Sequence, residues 1–120
     1  MGMNFKGLLG KEEQSDVLKA DYESATKVGV IGLGNSHLFF RKLFKTYYVS
    51  YSDLSAAYRR VYMMKGKSSL AAEFLVLISE GREIANIGVP GSKNAREILD
   101  TIKEKAPHIE TVFKGESEQK

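Results

Sequence analysis

Cysteine is absent from the 120 residues, which removes a disulfide framework, a thiolate zinc site and a cysteine nucleophile together. Histidine is scarce: His37 and His108 fall on separate predicted elements, without an Asp/Glu ladder at ligand spacing, so no metal site is expected. Long apolar runs are missing too, since no stretch approaches the roughly 20 apolar residues that a helical membrane span needs. The opening "MGMNFKGLLGKEEQ" lacks the apolar centre of a secretory signal, and Lys6 stands where an N-myristoylation signal takes Ser or Thr. A cytoplasmic protein is the default expectation. What the chain does carry is an ordinary globular composition, 42% hydrophobic and 28% charged, in a length that suits one domain with its own core.

The net charge is only +3, but it is unevenly placed. Between Arg41 and Lys67, seven cations (Arg41, Lys42, Lys45, Arg59, Arg60, Lys65, Lys67) face Asp53 alone, giving +6 and leaving −3 for the rest. Such a field attracts phosphate or an acidic partner. Lysines and arginines also keep exposed strands from aggregating, so a solvated edge explains the same residues. Arg41, Lys42, Lys45, Arg59 and Arg60 are the candidate contact residues for a protein partner or an anionic surface. Tyr47, Tyr48, Tyr51, Tyr58 and Tyr62, interleaved with Arg59 and Arg60, suit a single-stranded nucleic-acid platform. A tyrosine ladder also stabilises adjacent strands by cross-strand pairing, and nucleic acid is the weaker expectation.

Residues 1–14 are expected to form a flexible N-terminus and 114–120 a disordered tail, flanking a single domain over 15–113. "SDVLKADYESA" places Leu18, Tyr22 and Ala25 on one helical side, with Ser15 as a candidate N-cap. "AEFLVLISEGREIANIGV" reads as a hairpin turning at Glu80-Gly81. After Pro90-Gly91, Ala95, Ile98, Leu99 and Ile102 make the apolar stripe of a helix that Ser92 can cap and Pro107 stops. Strands are expected at Lys27–Leu33, His37–Leu43 and Lys45–Tyr51. The segment from Ala56 to Met64 fits either helix or strand by periodicity alone.

Gly32 and Gly34, after the apolar Val28 to Ile31, supply two glycines of a dinucleotide-binding fingerprint, and Asp53 follows at the distance of a ribose-binding acid. His37 occupies the third glycine position, where close helix–strand packing is needed, and the aromatic "HLFF" continues as a strand would. "GLGNSH" suits a turn instead, because Gly34 and Asn35 tolerate positive φ, and a histidine there is expected to be solvated. A Ser36–His37–Asp53 triad lacks a nucleophile elbow around Ser36.

Consecutive strands ending in an amphipathic helix resemble the pleckstrin-homology-like (PH-like) domains, particularly their small bacterial members. The segments "LFFRKLFKTYYVSYSDLSAAYRRV" and "PGSKNAREILDTIKEKAP" carry the resemblance, which covers roughly Lys27 to Pro107. It implies an α+β fold: an antiparallel β-barrel or two orthogonal sheets closed by the C-terminal helix, with Ala56 to Met64 as a strand and a short N-terminal helix before it. It also implies a binding or scaffolding module without catalysis or cofactor. The phosphoinositide pattern of that family straddles the first hairpin, whereas here Lys27 and Arg41-Lys42 stand at its ends with no basic residue near the turn. The rival class is a nucleotide-dependent enzyme domain using Gly32, Gly34 and Asp53.

Overall fold

A computed structural model describes residues 5–10, 13–63 and 71–112. Three two-residue turns set the strand boundaries. Gly29-Val30 separates β2 (Thr26–Val28) from β3 (Ile31–Leu33), and Leu43-Phe44 separates β4 (His37–Lys42) from β5 (Lys45–Ser50). Glu80-Gly81 separates β7 (Ala71–Ser79) from β8 (Arg82–Val89). The last turn has both residues left-handed, φ 52° and 77°, as the tightest hairpins require. The stretch read as one strand, Lys27–Leu33, is therefore two, because Gly29 at φ 61° reverses the chain inside it.

Two sheets result. The first has the order β1-β5-β4-β3-β2 and begins with Phe5–Gly7, which pair parallel to β5 as strand β1. That strand lies inside the segment expected to be flexible. The second sheet has the order β8-β7-β6-β9, where β6 is Ala56–Met63 and β9 is Glu110–Val112. The ambiguous middle segment is thus a strand, antiparallel to β7 over its whole length. Tyr51–Asp53 turns as a short 3-10 helix rather than ending β5. The expected tail, 114–120, and Met64 lie outside the described residues.

Helix α1 (Ser15–Glu23) follows β1, and α2 (Ser92–Lys105) follows β8. Neither expected cap is in place. The N-cap positions are Gln14 and Gly91, one residue earlier in each case, and no side chain closes either one. The α2 stripe of Ala95, Ile98, Leu99 and Ile102 joins a core with Leu38 and Phe40 of the first sheet and Leu75 and Leu77 of the second. The opposite face of the first sheet is covered by α1, where Leu18 packs with Phe39 and Tyr48. Coverage on both faces explains why His37 to Phe40 are all buried despite the alternation of a strand.

The expected closed barrel is not formed. Each sheet keeps two free edges among the described residues, and α2 packs into the core without closing a barrel. The dinucleotide geometry is not formed either. Gly32 lies inside β3, and after Gly34 the chain enters β4, antiparallel to β3 in the register Gly32↔Phe39. A phosphate-cradling turn would need a helix N-terminus there.

Candidate interaction surface

The five candidate cations fall into two groups on different sheets. Arg59 and Arg60 lie on β6. Arg59 is buried, and its guanidinium grips Glu73 with both ends, Nε to Oε1 at 2.6 Å and a terminal nitrogen to Oε2 at 2.8 Å. Arg60 reaches Glu83 at 3.0 Å and lies over the Tyr58 ring. These two arginines are held by cross-strand carboxylates within the second sheet, where β7 and β8 supply the partners. Tyr47 stacks on Phe40, Tyr48 packs under α1, and Tyr51 is buried, so these three tyrosines are used by the core.

Arg41, Lys42 and Lys45 stand together at the β4–β5 hairpin, where Lys42 and Lys45 are directly paired and all three are exposed. No carboxylate among the described residues forms an ion pair with them. Between them the turn presents Leu43 and Phe44, 85% and 94% exposed. Leu43 has φ 59°, a left-handed conformation that favours glycine or asparagine and that a branched side chain rarely adopts. Both the turn geometry and water would therefore prefer other residues at this tip.

Behind the tip, an open cleft of about 580 Å³ runs between the sheets. One wall is the segment 84–88 of β8; the other holds Phe40, Arg41, Lys42 and Tyr47, with Val30 and Leu8. Residues 10–119, including both groups of cations and every strand except β1, match a family described as a domain of unknown function, DUF6709. The chain belongs to the DUF6709 family. No curated protein and no solved structure matches it.

The DUF6709 domain also contains a half-buried polar cluster around His37 that sequence reasoning missed. The Asp21 carboxylate, on α1, accepts the backbone N–H groups of Asn35 (2.6 Å), Ser36 (3.1 Å) and His37 (3.0 Å). The His37 ring lies between two acids, Nδ1 2.9 Å from Asp21 and Nε2 3.0 Å from Glu13. His37 is thus buried, not solvated, and its partners are Asp21 and Glu13, not Asp53. Both contacts are hydrogen bonds only when both ring nitrogens carry a proton. Neither Gly34 nor Asn35 uses positive φ; a Cβ on Gly34 would instead lie 2.7 Å from the Asp21 carboxylate. Glycine is there to let the acid in. The Tyr51 hydroxyl donates to the Gly34 carbonyl at 2.9 Å, and burial together with the Asp21 charge pushes its phenol far above the usual range. The available signal was an acid at position 21 inside the apolar stripe of Leu18, Tyr22 and Ala25. The cluster fastens α1 and the 34–37 loop to the first sheet.

Proposed function

We propose that this DUF6709 domain is a non-catalytic binding module, of PH-like kinship, that docks on anionic membrane surfaces through the β4–β5 tip. The kinship rests on the run of mostly antiparallel strands followed by α2. The observation that carries the function is the tip itself: Leu43 and Phe44 project into water from a strained turn, ringed by Arg41, Lys42 and Lys45. Apolar side chains entering the acyl boundary contribute about 0.8 kcal/mol per buried CH₂. Each cation near an anionic leaflet adds about 1 kcal/mol. An acidic protein segment would satisfy the cations but leaves the two bare apolar side chains unexplained. The nucleotide-enzyme reading is not supported at Gly32 and Gly34, where the chain runs into an antiparallel strand instead of a helix N-terminus.

Co-sedimentation with vesicles tests the proposal. The protein should be retained by vesicles of phosphatidylcholine with phosphatidylserine, and not by phosphatidylcholine alone, with retention falling as salt rises. Leu43→Gly combined with Phe44→Ser should weaken retention by at least about tenfold. Glycine relieves the left-handed strain, so the variant should melt no lower than the wild type, within about 1 kcal/mol or better. Equal retention of wild type and variant would remove the tip from the proposal.

A further inference from the structure

We infer that the cleft between β8 and the β4–β5 hairpin accepts an extended acidic peptide as an added strand on β8. The lining of the cleft distinguishes an edge from a face. Successive residues of a strand point to opposite sides, so a groove over a sheet face is lined by alternate residues. A bulge at Ile84 breaks the alternation at that residue, but Ala85 to Gly88 are four consecutive residues of regular strand that all line the cleft. The groove therefore follows the rim of the strand.

Among the described residues, that rim is the longest one left open. Three of the four sheet edges are β1, β2 and β9, each three residues long, while β8 presents eight residues with no strand on its outer side among the described residues. An edge of this length carries a row of backbone N–H and C=O groups ready to pair with another chain. Gly88 lies within the lined segment, and its φ is ordinary. A side chain there would meet no atom within 4 Å, so nothing inside the fold requires glycine. Glycine at a strand edge leaves room for another backbone to come close.

The opposite wall decides the chemistry of the occupant. Its charged residues are Arg41 and Lys42, and no carboxylate among the described residues lines the cleft. Val30 and Phe40 on this wall and Ile84 on the other supply apolar surface. A strand alternating apolar and acidic residues meets both features while pairing with β8. An acyl chain would fill the same volume but offer no hydrogen-bond partner to the N–H and C=O groups of the strand edge. A second copy of this chain is a further occupant that the test separates.

The test is fluorescence anisotropy, without lipid, using a dye-labelled peptide of alternating Val and Glu as long as β8. The wild type should bind this peptide and bind the Val/Lys counterpart at least about tenfold more weakly. N-methylation of alternate peptide amides should abolish binding, because it removes the donors of the added strand. Arg41→Glu with Lys42→Glu should reverse the charge preference. Gly88→Trp, at a position with open space, should weaken binding by at least about tenfold while leaving the melting temperature unchanged. The tip variant Leu43→Gly/Phe44→Ser should bind the peptide like the wild type, which separates this site from the apolar part of the membrane contact, the two sharing Arg41 and Lys42. The inference is overturned if no peptide binds, or if the N-methylated peptide binds equally. It is also overturned if palmitate competes for the cleft, or if Gly88→Trp abolishes a dimer seen by sedimentation.

Discussion

Asparagine in place of Asp21 would keep the shape of the side chain but not its charge, and three backbone N–H groups and His37 depend on that charge. Burial alone would raise the Asp21 carboxyl. The hydrogen bonds from the His37 ring and from the Asn35 and Ser36 N–H groups, with the His37 charge, outweigh it and hold the carboxyl below its ordinary 3.8. Asp21→Asn should cost about 1.5–3 kcal/mol at neutral pH, the usual worth of hydrogen bonds to a charged group. A carboxyl depressed in the folded state stabilises fully above its unfolded value and loses that contribution as pH falls through the folded one. Urea denaturation of both proteins should therefore show a gap that is constant near neutrality and narrows below about pH 3.9. A gap unchanged down to acid pH would mean that the acid acts by shape alone. The sequence marks Asp21 only as an acid within the stripe of Leu18, Tyr22 and Ala25; its partners at 35–37 reach it through tertiary packing and leave no local mark.

Helix α2 and the β7–β8 hairpin were legible because their signals are local. A four-residue apolar stripe and a left-handed Glu-Gly turn need no distant partner to be recognised. Leu99 is 3% exposed within the core that α2 shares with both sheets. Leu99→Ala should lower stability by about 2–5 kcal/mol, read from chemical denaturation, as buried leucine truncations do. A loss within error of zero would show that the helix is not docked. The β4–β5 tip was harder to read for the opposite reason. The expected strands His37–Leu43 and Lys45–Tyr51 placed the break to within a residue. But Leu43 and Phe44 carry none of the glycine, asparagine or proline that marks a tight reversal, so their exposure at a hairpin tip was not apparent. The parallel strand β1 was likewise hidden, since its partner β5 lies far along the chain.

Both ends of the described chain are bound to its middle. Phe5 pairs with Thr46 and Glu110 with Ala56, each in a parallel ladder, while the strands between are joined mostly by short turns. Amides of β1 and β9 should lose hydrogen-exchange protection first, ahead of β6 and β7, because short edge strands open at low free energy. Equal protection across all four would contradict this. A β-hairpin closes in about 1–10 μs, whereas pairings between distant residues must wait until loop-closure entropy has been overcome. The chain accordingly keeps an internal schedule. Hairpins formed in mid-sequence supply the templates, and the terminal strands arrive last. A chain still emerging from the ribosome has both strands of the first template, β4 and β5, before β9 exists, so assembly of the first sheet need not await the end of synthesis.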